Sequence, residues 1–139
     1  RGAGEFEMGL VSEGYRKIAT IMYLIQSGSL NRNSILFWDE PEANLNPKMI
    51  EPLVNSMVAL AQMGVQIFVT THSYFVQQAF NLQKRRKIKS DMKFFSFYRD
   101  AGEIAVECKP FVHELEHNAV MEEFDAVYDR DQELFYENK

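Results

Sequence analysis

Residues 35–40 read Ile35-Leu36-Phe37-Trp38-Asp39-Glu40, four apolar side chains in a row followed by two carboxylates. An unbroken apolar run of this length, closed by Pro41, predicts a short strand over 35–38 that is buried on both faces of a parallel sheet. Ligands of parallel α/β sheets bind beyond the carboxyl ends of the strands, so both carboxylates stand where chemistry is done. An aspartate at such a position can hold Mg²⁺ through water, because Mg²⁺ keeps several of its waters. A glutamate one residue further on can polarise an attacking water. The same six residues also fit a strand that closes in a solvated acidic turn.

The flanking sequence supports the parallel reading. Upstream, Ile18, Ile21, Met22 and Ile25 recur at helical spacing and predict a helix over 13–26, with Ser12 as its N-cap and Gly28 as its stop. Downstream, Asn46-Pro47 opens a second helix with proline at the first helical position. Its apolar face is Ile50, Leu53, Val54, Met57, Val58 and Ala61, and Gly64 ends it. A second strand follows over 65–70, then Thr71-His72-Ser73 and a short helix over 74–82. Strand, helix, strand, helix in this order implies a right-handed parallel unit. If its strands are neighbours, His72 falls beside Glu40.

Beyond residue 82 the pattern changes. Lys84-Arg85-Arg86-Lys87 reads as a basic, exposed linker that could also touch nucleic-acid phosphates. Residues 92–99 and 103–109 form a hairpin around Asp100-Ala101-Gly102, and an acidic helix begins near Asn118. His113, Glu114 and His117 match the spacing of His-Glu-x-x-His, which on a helix would aim two imidazoles at one Zn²⁺; Pro110 nearby and the late position in the chain favour a chance match.

Composition bounds the alternatives. The 139 residues are 46% hydrophobic and 25% charged, enough to build a core and too apolar for a disordered tail. The net charge of −5 argues against a globally basic nucleic-acid binder. The single cysteine, Cys108, excludes an internal disulfide framework and fits a reducing, cytoplasmic setting. No apolar run approaches the roughly 18 residues of a membrane span, and no signal peptide or membrane partner is expected.

Taken in order, these motifs resemble the C-terminal half of an ABC-type ATPase head, in the AAA-type branch near the RecF and OLD proteins. Ser12-Glu13-Gly14-Tyr15 resembles the signature, usually Ser-Gly-Gly-Gln. Residues 35–40 resemble Walker B with its catalytic glutamate, Ala43-Asn44-Leu45-Asn46-Pro47 the D-loop, and His72 the switch histidine. The resemblance is close over 8–82 and loose over the hairpin and tail, 83–139. It implies an α/β fold: a partial parallel sheet with flanking helices, then a β-hairpin and a C-terminal helix, in one domain spanning 1–139. It implies ATP and Mg²⁺ as cofactors, Asp39 as the metal-side carboxylate, and Glu40 and His72 as catalytic residues. Ser12, Gly14, Asn44 and Asn46 are its nucleotide- and interface-facing residues, and the assembly it implies is a homodimer of heads.

One departure matters. No Gly-x-x-x-x-Gly-Lys-Ser/Thr run occurs in the chain, so the loop that would cradle the phosphates is missing. The expectation is that an N-terminal half or a partner chain supplies the P-loop, and that the chain alone is inactive. Glu13 stands where a glycine is usual and needs Arg16, Lys17 or a metal to offset its charge. Two other classes stay open: a non-enzymatic dimerisation or interaction module with a degenerate ATPase fold, and a metal-dependent hydrolase built on Asp39, Glu40 and His72.

Overall fold

A computed structural model describes residues 13–86 and 91–137. The chain divides into two compact units, the first ending at Thr71 and the second beginning at His72.

The first unit contains helix α1 (Glu13–Gln26), strand β1 (Ile35–Asp39), helix α2 (Ile50–Gln62) and strand β2 (Gln66–Thr70). At Gly28, φ is +74°, and the backbone turns out of α1 while the Leu30 N–H reaches back to the Leu24 carbonyl at 2.9 Å. Asn46 caps a 3-10 turn, Pro47–Met49, that runs directly into α2. Its Oδ1 accepts the Lys48 N–H at 3.0 Å. The expected apolar face of α2 is the core: Ile50, Leu53, Val54, Met57 and Val58 are buried, joined by Leu60. Burying each such side chain contributes about 1.5–3 kcal/mol.

β1 and β2 pair in parallel, Ile35 opposite Gln66 through Asp39 opposite Thr70. The crossover through α2 is what a parallel pair requires. β1 is one residue longer than expected and takes in Asp39. It is also not buried on both faces. Leu36 and Trp38 are half-buried, whereas Ile35 and Phe37 are 58% and 74% exposed. The reason is that β1 pairs with one strand among the described residues, and α2 packs against the sheet. Phe37 and Phe68 stack on each other on the exposed face, with ring centroids 4.9 Å apart.

The second unit contains helix α3 (Tyr74–Arg85), the antiparallel strands β3 (Phe94–Asp100) and β4 (Glu103–Lys109), and helix α4 (Ala119–Glu137). Ala101 and Gly102 make the two-residue hairpin turn with φ of +47° and +91°, the left-handed pair that matches strand twist. α3 runs three residues past its expected end. Lys84 and Arg85 are therefore helical and not part of a linker, since nothing between 82 and 85 interrupts the helical backbone, while Arg85 and Arg86 are exposed as expected. The Lys84 ammonium donates to the Met92 carbonyl and lies 5.2 Å from the Phe111 ring centre. α4 docks on α3 through stacked Tyr74 and Phe124 rings, 4.2 Å apart. Asn118 caps α4: its Oδ1 accepts the Met121 N–H, and its own N–H donates to Glu122 Oε1.

No helix runs under His113 and His117, in line with a chance match of their spacing. Only Val112–Glu114 forms a 3-10 turn, and Leu115 is already extended with ψ of 124°. The His117 ring instead lies on Tyr98, 3.9 Å between centroids. Glu107 holds this segment by accepting the N–H groups of His117 and Glu116 at 2.7 and 3.2 Å, so the two imidazoles are not set on one helical face. No described helix is long and apolar enough to cross a membrane.

Candidate functional site

Strand parity sets the direction of the first carboxylate. Asp39 shares the exposed face of β1 with Ile35 and Phe37, and across the parallel ladder it meets Thr70, whose hydroxyl donates to Asp39 Oδ1. The second carboxylate belongs to a residue with unusual backbone. Glu40 has φ of +42°, in the left-handed region that non-glycine residues avoid. Its N–H still donates to the Thr70 carbonyl at 3.0 Å, so the ladder is carried one residue beyond β1 before the chain turns. Asn44, four residues on, has φ of +60°. Asparagine adopts this backbone readily, whereas for a glutamate it costs about 1–2 kcal/mol and persists only where the surroundings hold it, as at functional sites.

The loop between them is built from tight turns. The Ala43 N–H donates to the Glu40 carbonyl at 3.0 Å, and the Leu45 N–H donates to the Glu42 carbonyl at 2.9 Å. Two side chains brace it from outside. Lys17, on the second turn of α1, donates from Nζ to the carbonyls of Pro41 at 2.9 Å and Ala43 at 2.7 Å. The Thr71 hydroxyl, just beyond β2, donates to Glu42 Oε1. Lys17, weighed as an offset for the Glu13 charge, thus directs its donors to the loop.

Asp39, Glu40, Asn44 and Asn46 are therefore brought together on one strand exit and the loop that follows it. Gly14 lies in the first turn of α1, in the same unit. Ser12 lies outside the described residues. His72 opens the second unit, one residue before Ser73, the N-cap of α3. Asn46 spends its side-chain oxygen on capping the Pro47–Met49 turn, the capping role that its place before Pro47 suggests. Lys17, Thr70 and Thr71 were not singled out from the sequence as site residues. Their signal is tertiary, because their partners lie 24 to 31 residues away.

The donor set fits a hydrated Mg²⁺. Asp39 offers a hard carboxylate on an exposed strand end, with one oxygen engaged by a neutral hydroxyl and not by a cation. Among the described residues no three His, Cys, Asp or Glu side chains group into a metal cage. An all-protein cage is what Mg²⁺ does not require, since it is bound through one or two carboxylates, waters and substrate phosphates.

Comparison with known proteins gives three similarities. The family described as "AAA domain, putative AbiEii toxin, Type IV TA system" matches residues 1–76, more than half of the chain. The chain is 37% identical over 62 residues to the Old nuclease of Escherichia phage P2, a match that covers 41% of this chain and 11% of that protein. The chain thus spans a small part of that relative's length. The fold is similar to a solved structure described as "Structural biochemistry of ATP-driven dimerization and DNA stimulated activation of SMC ATPases". The TM-score is 0.58 at 12% identity, over 91% of this chain and 68% of the other. At that identity the likeness speaks for the fold alone.

Proposed function

The chain belongs to this family of AAA domains, and on that premise we propose that it is the C-terminal lobe of an ABC-type ATPase head that binds and hydrolyses ATP once a P-loop is supplied. The supplier is an N-terminal half or a partner chain. The observation that carries the proposal is the strand exit: an exposed aspartate in register with Thr70, followed by a glutamate held at positive φ.

In this reading Asp39 holds Mg²⁺ through water, and the ion when bound offsets phosphate charge. Glu40 accepts the proton of the attacking water and orients it. His72 contacts the terminal phosphate and helps to place that water. Ser12 and the Gly14 backbone N–H, at the start of α1, face a phosphate held by an opposing head, where a helix N-terminus favours an anion. Asn44 and Asn46 line the contact between two heads. Phosphoryl transfer requires mainly positioning and charge neutralisation, which these residue types supply. ATP-driven dimerisation and DNA stimulation are named for the SMC structure. A homodimer of heads, with nucleic acid as an effector, is the assembly we propose for the complete protein.

The test is reconstitution. The 139-residue chain, mixed or fused with a P-loop-bearing N-terminal half or partner chain, is expected to hydrolyse ATP, and the chain alone is not. Glu40→Gln, which keeps shape but loses basicity, is expected to retain ATP and abolish turnover. A reconstituted head whose turnover survives Glu40→Gln removes Glu40 from catalysis. A head that binds a partner but never turns over ATP is an interaction module.

A further inference from the structure

We propose that Lys17 and Glu42 are positioning residues that set the backbone of Glu40, an inference that rests on the catalytic reading of that glutamate. Neither is expected to touch nucleotide. Both act on residues 40–45, the loop that begins and nearly ends in left-handed backbone at Glu40 and Asn44.

Lys17 grips both sides of Glu42. Its ammonium takes the carbonyls of Pro41 and Ala43, so one cation on α1 fixes the 41–42 and 43–44 peptide planes of the loop that follows Glu40. Glu42 then points back to the sheet, where Oε1 accepts the Thr71 hydroxyl. α1, the β1 exit and the β2 exit are tied through this one loop. The Oε2 of Glu42 is buried and has no hydrogen-bond partner among the described residues, an arrangement that costs folding free energy against the gain from the Oε1 bond. What the carboxylate provides is a fixed acceptor that ties the loop to the β2 exit, beside the Lys17 bonds and the turn hydrogen bonds.

The geometry has a functional consequence. α1 begins at Glu13, beside the residues proposed to face an opposing head, and Lys17 is one turn further on. A displacement of the start of α1 therefore pulls on the peptide planes that orient Glu40. Lys17 thus couples the surface that faces a nucleotide on the opposing head to the glutamate that serves the nucleotide of its own head.

Lys17→Met keeps the apolar stem and removes the donors; Lys17→Arg restores donors; Glu42→Ala removes the Thr71 acceptor. In the reconstituted ATPase, Lys17→Met and Glu42→Ala are expected to lower kcat about 10- to 100-fold with KM for ATP changed less than about threefold, the signature of a displaced catalytic group. Lys17→Arg should recover most of kcat. In the 139-residue chain, hydrogen exchange at the Ala43 and Leu45 amides should rise about tenfold or more in Lys17→Met and Glu42→Ala, with amides in α2 unchanged. Unchanged exchange at both amides overturns the brace, whatever the kinetics. Normal kcat in Lys17→Met with raised exchange overturns the positioning role. A kcat loss matched by an equal rise in KM, or not recovered by arginine, also overturns it. A wild-type reconstitution with no turnover overturns the catalytic reading of Glu40, and the positioning role with it, even where exchange shows the brace intact.

Discussion

Replacing Glu40 by glycine should stabilise this chain relative to replacing it by alanine. Both substitutions remove the carboxylate and every contact it makes, so the difference between them isolates the backbone. At φ of +42° an L-residue brings its Cβ too close to the carbonyl oxygen. That crowding costs roughly 1–2 kcal/mol, and glycine is free of it. Against this stands the greater freedom glycine loses on folding, about 0.5–1 kcal/mol relative to alanine. The balance favours Glu40→Gly over Glu40→Ala by about 0.5–1 kcal/mol, whereas in a helix interior the order is reversed by about the same amount. For a chain of this size that is a separation in Tm of about 3 °C. Urea and thermal unfolding followed by the fluorescence of Trp38, the single tryptophan and a half-buried residue on β1, report the unit that contains the site. Equal midpoints, or alanine above glycine, would refute the claim that Glu40 is held against its backbone preference. A strain confirmed this way, together with lost turnover in Glu40→Gly, identifies a position where stability is given up for geometry.

Leu53, 1% exposed at the centre of α2, should lose about 2–5 kcal/mol of stability on truncation to alanine, measured by urea unfolding at the Trp38 signal. Asn118→Ala should cost about 1 kcal/mol by removing the α4 cap, with the loss visible as reduced helical circular dichroism on warming. Glu107 is held below the usual glutamate range first by the His117 N–H, then by the Glu116 N–H and the nearby His117 and Lys109 charges, with desolvation working the other way. A carboxylate lowered on folding contributes stability that is present above its unfolded pKa and lost as pH falls through its folded pKa. The wild type should therefore lose hold of the 115–118 segment on acidification, and Glu107→Gln should flatten that dependence, as followed by the pH dependence of hydrogen exchange at the His117 amide.

Most of the architecture is local information, and it was legible before any coordinates. Helical spacing marks α1 and α2 because one face must be apolar to be buried. Asn46-Pro47 and Gly28 mark helix ends because each supplies a backbone geometry or a donor count that the end requires. Asp100-Ala101-Gly102 marks the hairpin because its turn needs positive φ. The order of motifs from Ser12 to His72 carried the family resemblance, and with it the ATPase reading. What the tertiary structure decided is non-local. The register that sets Asp39 opposite Thr70, the left-handed backbone at Glu40 and Asn44, and the Lys17 and Thr71 bonds across 24 to 29 residues depend on which elements meet. A sequence states no such meeting. The same limit applies elsewhere. His113 and His117 have helical spacing, and it takes a tertiary contact to decide against its use: Glu107 on the neighbouring strand takes the His117 N–H and the segment runs extended. The apolar run at 35–38 reads as a fully buried strand, yet burial is set by what packs on each face, and one face of β1 stands open among the described residues.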